Sequence, residues 1–351
     1  MCGISGIASF NTSVDEADVV SMVQKIKHRG PDQEKIFKNQ MGIFGFVRLK
    51  IIDISNRSNQ PFLSENKKIQ IIYNGEIYNY KNLKEQYFPN KKFKSSGDGE
   101  VLIYLYEKYG IEFVNKVKGM FSICIIDENI KKIYLVRDRF GIKPLYYHYD
   151  SFKKTLYFCS EIKGIVELKN INTQLNDKEA FKFFNQGLIN SSGETWFKNI
   201  FQVKPSHLIE YSNNKIIEKK YYFLENQIDE KQDEKKISFK TYMNDFKEKL
   251  QESFKEHNQF DVKAGIHLSG GVDSAVLAAM SNYNNKEYNS YTFDFEQEKF
   301  SELKYAKRIT DSTNLKNYSS ILKEKDLPYY LLKVIEREYE PFSSLRVLSQ
   351  H

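Results

Sequence analysis

The stretch Met1-Cys2-Gly3-Ile4-Ser5-Gly6 decides the reading of the first half of the chain. If Met1 is removed, residue 2 carries both a thiol and a free α-amine. The amine has a pKa of about 7.7–8.0 and the thiol about 8.5. The amine can therefore take the thiol proton near neutral pH, so one residue supplies nucleophile and base. Gly3 lets backbone approach a substrate closely. Outward from this start lie short apolar runs: Ile69–Tyr73, Met120–Ile126, Lys132–Val136, Leu145–Tyr149 and Leu156–Cys159. Gly, Asn, Asp or Lys clusters bound each of them, which predicts strands in sheets. Two helices are expected to interrupt these strands. One spans Asp15–Lys27; the other, Glu100–Tyr109, follows Gly97-Asp98-Gly99 and stops at Gly110.

Further motifs follow the Cys2 start in order. They are His28-Arg29-Gly30-Pro31-Asp32, Arg48-Leu49-Lys50-Ile51-Ile52-Asp53, Tyr73-Asn74-Gly75-Glu76-Ile77-Tyr78-Asn79 and Gly119-Met120-Phe121. Arg137-Asp138-Arg139-Phe140-Gly141-Ile142-Lys143-Pro144-Leu145-Tyr146-Tyr147 and Ser160-Glu161-Ile162-Lys163 complete the set. Residues 2 to about 222 thus resemble the class II glutamine amidotransferases, and most of all the glutaminase domain of asparagine synthetases. The pattern departs after Asp32, where Gln33-Glu34-Lys35 stand in place of a Gly. The resemblance implies an α+β N-terminal-nucleophile hydrolase domain, with two stacked antiparallel sheets between helices.

The resemblance also implies site roles that suit the chemistry of each residue. Cys2 attacks the glutamine side-chain amide. Asn74, through its amide, and Gly75, through its N–H, form the oxyanion hole. Arg48 grips the substrate carboxylate with a planar fork. Asp98 pairs with the substrate ammonium, its bland alternative being the cap of the following helix. Glu76 accepts from the substrate amide, and Ile51 lies near the glutamine. Arg29 reads as structural or supportive, with an ion pair to a nearby carboxylate at least as expected as contact with the substrate. Cys124 and Cys159 sit inside apolar runs and read as small core residues.

A polar stretch, Glu225–Lys236, reads as a linker. Beyond it the texture changes: a helical period over Phe239–Phe254, a short apolar strand Ala264–Leu268, a glycine turn and a helix Asp273–Met280. The boundaries expected are 1–222 for the glutaminase, 223–238 for the linker and 239–351 for the N-terminal part of an ATP-binding synthetase domain. The turn is Leu268-Ser269-Gly270-Gly271-Val272-Asp273-Ser274. Free N–H groups at its helix start favour phosphate. It lacks Gly-Lys-Ser/Thr, so it is not a Walker loop. It resembles the pyrophosphate loop of the ATP pyrophosphatases, an α/β parallel-sheet class that includes the asparagine synthetases. That resemblance implies ATP at Leu268, Ser269, Gly270, Gly271, Asp273, Ser274 and Phe293, with Asp273 as the Mg²⁺ ligand.

Composition narrows the remaining classes. The chain has 351 residues, 53 Lys and Arg against 46 Asp and Glu, and a net charge of +7. The basic residues are interleaved with acidic ones, so a solvated surface is expected rather than nucleic-acid binding. No stretch reaches the ~20 apolar residues of a membrane span. The start has no secretory signal, and three cysteines fit a reducing, cytoplasmic setting. The second motif of the synthetase site, Ser-Gly-x-Gly-x-Asp-Glu, is absent from the sequence. The chain is thus expected to be a fragment or a short member of the family. The first expectation is a glutamine-dependent asparagine synthetase acting on aspartate, ATP and glutamine, with a homodimer as a possible assembly. The alternatives are amidation of another carboxylate, such as a sugar acid, and a glutaminase-only or non-synthetic protein.

Overall fold

A computed structural model describes residues 1–190, 192–227, 238–282, 286–344 and 347–348. The chain divides into two compact units, Met1–Glu230 with Glu338–Pro341, and Lys231–Arg337 with Phe342–His351.

The first unit contains strands β1 (Gly3–Ser9), β2 (Gln33–Asn39), β3 (Gly42–Arg48), β4 (Phe62–Leu63), β5 (Ile69–Ile77), β6 (Gly119–Asp127), β7 (Lys132–Arg137), β8 (Tyr146–Asp150), β9 (Thr155–Cys159), β10 (Ile200–Gln202), β11 (His207–Ser212) and β12 (Lys215–Lys220). Its helices are α1 (Glu16–Ile26), α2 (Tyr80–Tyr87), α3 (Val101–Tyr109), α4 (Lys163–Val166) and α5 (Asp177–Gln186). One antiparallel sheet has the order β10-β8-β9-β1-β3-β2 and the other β12-β11-β7-β6-β5-β4.

Strand periodicity builds the layers. Ile4, Ala8, Phe44 and Phe46 of the first sheet meet Ile72, Cys124, Ile126 and Leu135 of the second in one core. The alternate residues Ile7, Ile43 and Val47 face Val19, Met22, Val23 and Ile26 of α1. On the far side, Ile71, Ile123 and Ile125 pack on Leu102 and Leu105 of α3. Each central strand is thus buried on both faces, and its sequence reads as a continuous apolar run rather than an alternation. This is the expected helix–sheet–sheet–helix arrangement. Asp15 caps α1 by accepting from the Ala17 N–H, and Gly110 ends α3. Three helices, α2, α4 and α5, add to the two expected between the strands. Gln33-Glu34-Lys35 begins the edge strand β2, paired with β3 from Gln33↔Arg48 onward.

Of the expected linker, residues 228–237 lie outside the described residues; Leu224–Gln227 is a short 3-10 turn and Ser238 caps the next helix. The second unit contains α6 (Phe239–His257), β13 (Ala264–His267), α7 (Val272–Ser281), β14 (Tyr288–Phe295), α8 (Leu303–Thr313), β15 (Lys316–Leu322) and α9 (Leu327–Glu338). Its sheet, β13-β14-β15, is parallel. Leu268, Ala278 and Ala306 form one core, and Leu322 and Val334 belong to another with Phe293 and Phe295. An antiparallel sandwich followed by a parallel α/β sheet is the fold class expected from the sequence.

Phe44 is fully buried between the sheets, against Phe37 and Phe158. Phe44→Ala is expected to destabilise the first unit by about 3–5 kcal/mol, the usual cost of an aromatic-sized cavity. Urea unfolding followed by tryptophan fluorescence measures it, since Trp196 lies in this unit.

Candidate active site

A cavity of about 210 Å³ opens in the first unit, and Cys2, Arg48, Ile51, Asn74, Gly75, Glu76 and Asp98 all line it. Residues as far apart in sequence as Cys2 and Asp98 are thus gathered at one place. The Cys2 thiol sits at the start of β1, 3.4 Å from the Leu49 N–H that points at it, and it faces the Leu49 carbonyl at 3.6 Å. Burial pushes the thiol pKa up, while the Leu49 N–H and the nearby amino terminus and Arg48 pull the other way.

The expected oxyanion donors, Asn74 and Gly75, lie on β5, whose outer edge is largely unpaired. β4 pairs with this strand only at Phe62↔Ile71 and Leu63↔Gln70. Beyond that point the outward N–H groups fall at every second residue. Tyr73 N–H donates to Gln60 Oε1 at 2.7 Å, and Ile77 N–H donates to Asp98 Oδ2 at 2.8 Å. Gly75 lies between them, facing the cavity with no side chain to bond its N–H. A Cβ on Gly75 would fall 2.1 Å from the Met120 carbonyl oxygen, so only glycine allows β5 to lie this close to β6. Asn74 is 1 % exposed, and neither its side-chain Oδ1 nor its Nδ2 finds a partner among the described residues. A buried, unpaired amide is costly unless a ligand completes it.

Asp98 does not cap α3. Its carboxylate accepts from the Tyr73 hydroxyl at 2.6 Å and from the Ile77 N–H. Burial raises its pKa despite those bonds and the charge of Lys84. A substrate ammonium would offset that burial, and each oxygen retains a lone pair to accept it. Arg48 is 4 % exposed and spends its terminal nitrogens on the neighbouring loop. Nη1 donates to Ser55 O at 3.0 Å and Asn59 Oδ1 at 2.7 Å; Nη2 donates to Asp53 O at 2.6 Å and Ile52 O at 3.4 Å. Arg48 therefore frames the wall that carries Ile51 and Ile52 as well as facing the cavity.

Arg29 is the supporting residue expected. Its Nε donates to the Cys2 carbonyl at 2.9 Å and its Nη1 pairs with Glu161 at 2.7 Å. Burial opposes ionisation of Glu161. Hydrogen bonds from His28 and Arg29, with Lys163 beside them, outweigh it and hold the carboxyl down at about 2. Cys124 and Cys159 are buried free thiols in the cores. Sequence reasoning missed Gln60, Asp53 and Lys143. Gln60 clamps both backbone groups of Tyr73, and Asp53 accepts from the Ser55 and Ser96 N–H groups, tying the two cavity walls together. Lys143 lines the cavity.

In the second unit, Ser269 Oγ accepts from the Gly271 N–H at 3.4 Å, and Ser274 Oγ lies 3.3 Å from it. Gly270 has a φ of +78°, and a Cβ there would meet Tyr305 at 2.6 Å. The first turn of α7 has no side-chain cap and carries exposed Asp273. Unpaired N–H groups at a helix start suit a phosphate. Asp273 offers a single carboxylate there, and no group of three or more His, Cys, Asp or Glu gathers among the described residues to hold a metal. A Mg²⁺ there would take its other ligands from phosphates and water. Leu268 is fully buried, with its backbone bonded to Tyr291 and Thr292. Phe293 lines a separate cavity of about 280 Å³ with His267, Tyr291, Thr292 and Tyr330.

Two family profiles cover this arrangement: the glutamine amidotransferase domain at residues 1–222 and asparagine synthase at residues 245–348. The chain belongs to the glutamine-hydrolysing asparagine synthetase family. A Methanocaldococcus jannaschii protein provisionally named glutamine-hydrolysing asparagine synthetase 2 is 34% identical over 97% of this chain and 69% of its own length. Asparagine synthetase 2 of Bacillus subtilis is 35% identical over 91% of this chain and 43% of its own length. Asparagine synthetase 1 of the same organism is 31% identical over 98% and 54%. The chain therefore spans about half the length of the two Bacillus relatives. No described helix is long and apolar enough to cross a membrane.

The Glu161 cluster makes a pH-dependent contribution to stability. Its pKa falls from the ordinary 4.5 to about 2 on folding. The stabilisation is therefore full above pH 4.5 and is lost as pH falls toward 2, with a ceiling of ~3 kcal/mol. Urea titrations of wild type and Glu161→Gln are expected to differ most at pH 7, to differ clearly less at pH 3 and to converge toward pH 2. An equal difference at all three pH values would contradict the assignment.

Proposed function

We propose that the chain acts as a glutamine-dependent asparagine synthetase whose first unit hydrolyses glutamine. The observation that carries this is the meeting of the Cys2 thiol, the unpartnered Asn74 amide and the open Gly75 N–H in one cavity. With Met1 removed, the α-amine of Cys2 takes the thiol proton and the sulfur attacks the side-chain amide carbon of glutamine. The carbonyl oxygen gains the negative charge and receives the Asn74 and Gly75 donors. The protonated amine then gives its proton to the leaving nitrogen. Ammonia departs and a thioester remains on Cys2. Water cleaves the thioester to glutamate and restores the thiol. Arg48 and Asp98 orient the substrate's carboxylate and ammonium, and Glu76 faces its amide.

ATP binding by Ser269–Ser274, with Mg²⁺ at Asp273, would supply an activated acyl-adenylate for ammonia to attack. In this reading aspartate is the acceptor and pyrophosphate the first product. Keeping the two reactions in one protein protects ammonia, which bulk water at neutral pH would protonate and so remove as a nucleophile. Another carboxylate is the alternative acceptor, since not every relative is named an asparagine synthetase. A Gibberella zeae protein named amidase chry2 is 31% identical over 82% of this chain and 44% of its own length.

The test of the first step is glutamate release from glutamine. Cys2→Ala is expected to abolish it. Asn74→Ala is expected to lower kcat by about 10²–10³ with little change in KM, because the donor acts on charge formed in the transition state. Undiminished release by Cys2→Ala would remove the thiol from the reaction. For the acceptor, ATP–pyrophosphate exchange by the full-length protein is expected with aspartate; exchange only with a different acid would select the alternative.

A further inference from the structure

The motif Arg137–Lys143 has no place in the reaction as written, yet the structure builds it with unusual care. Asp138 is fully buried, and its carboxylate accepts from the N–H groups of Phe140, Ile142, Lys143 and Phe121 at 2.9–3.2 Å. Arg137 donates to the carbonyls of Lys143, Gly141 and Val203 at 2.6–2.9 Å. Both backbone groups of Lys143 are thereby fixed. Its side chain is only 6 % exposed and lines the cavity of Cys2. The ammonium donates to the Met1 thioether at 3.4 Å, a weak acceptor. Arg29 approaches the same sulfur at 4.0 Å while holding the Cys2 carbonyl. Two cations therefore converge on the residue whose removal exposes the amine of Cys2.

We propose that Lys143 is a positioning residue of the thiol site, its ammonium keeping the freed α-amine of Cys2 neutral and so able to act as the base. The inference rests on the thiol reading above. A like charge close to an amine disfavours the protonated form, and a water-poor cavity strengthens the effect. The charged groups around the pair are few. Glu76, Arg29, Cys2 and Asp138 act on Lys143; Arg29, Lys143, Asp32 and Cys2 act on the amino terminus; Arg48 and Asp98 act on the thiol. Asp32 and Cys2 pull the amino terminus toward protonation, and the Lys143 ammonium and Arg29 oppose them. Burial and the neighbouring Arg29 and Lys143 already depress the amine of Met1, with Cys2 acting in the opposite sense.

The experiment is the pH profile of kcat/KM for glutamine hydrolysis by wild type, Lys143→Gln, Lys143→Met and Lys143→Arg, each confirmed to be free of Met1 by intact mass. Removal of the charge is expected to move the acid limb upward by roughly half to one pH unit. Activity is then lost chiefly below pH 7 and recovered toward pH 9, and Lys143→Arg restores the wild-type limb. The backbone bonds of residue 143 survive every substitution, and thermal melting of each variant confirms that it is folded. A uniform loss at all pH values, or a limb that coincides with wild type in both neutral variants, would overturn the role of Lys143. Cys2→Ala in parallel separates the two failures: if it still releases glutamate, the thiol reading falls; if it is inert while the limbs coincide, only Lys143 is wrongly assigned.

Discussion

The site depends on a strand that outruns its neighbour. β5 continues to Ile77, but β4 pairs with it only at Gln70 and Ile71. The exposed edge that results would present outward N–H groups at Tyr73, Gly75 and Ile77. Side chains from elsewhere satisfy the first and the last: Gln60 bonds Tyr73 and Asp98 bonds Ile77. The middle one remains, beside an Asn74 amide that also lacks a partner. A buried polar group left unpaired costs about 1–3 kcal/mol. Here that cost is localised against the thiol, where an oxyanion would relieve it.

Around this edge, the rest of the first unit works as scaffolding. β1 brings Cys2 to the edge from the opposite sheet, and Arg29 holds its carbonyl while Glu161 holds Arg29. Arg48 and Asp53 stiffen the 51–59 wall, and Asp138 with Arg137 stiffens the 138–143 wall. Buried charges are tolerated here because backbone groups and opposite charges surround each one. Substrate groups would complete those charges that still face the cavity.

Much of this was readable in the residues. Strands buried on both faces gave continuous apolar runs with clear borders, so β5, β6, β7 and β9 lay close to where they were expected. The helices that escaped notice have weaker patterns. Tyr80–Tyr87 buries only Tyr80 and Leu83, and Lys163–Val166 is a single turn. Cys2, Asn74, Gly75 and Asp98 were marked by their motifs, and one cavity collects them. Asp53 and Lys143 lay inside quoted motifs but without a role, and Gln60 lay outside them, because a polar side chain that caps distant backbone or lines a distant cavity leaves no periodic trace. The engagement of Arg48 by its own loop was equally invisible, since a fork suited to a carboxylate also suits carbonyls.

The central claim is that an amino-terminal thiol forms a covalent bond to the glutamine side chain. Rapid mixing of the purified protein with glutamine, an acid quench and intact-mass analysis with peptide mapping test it directly. The account requires a transient γ-glutamyl group on residue 2 of a chain that begins at Cys2. An acyl group on any other residue, or full glutamine hydrolysis by a chain that retains Met1, would contradict it.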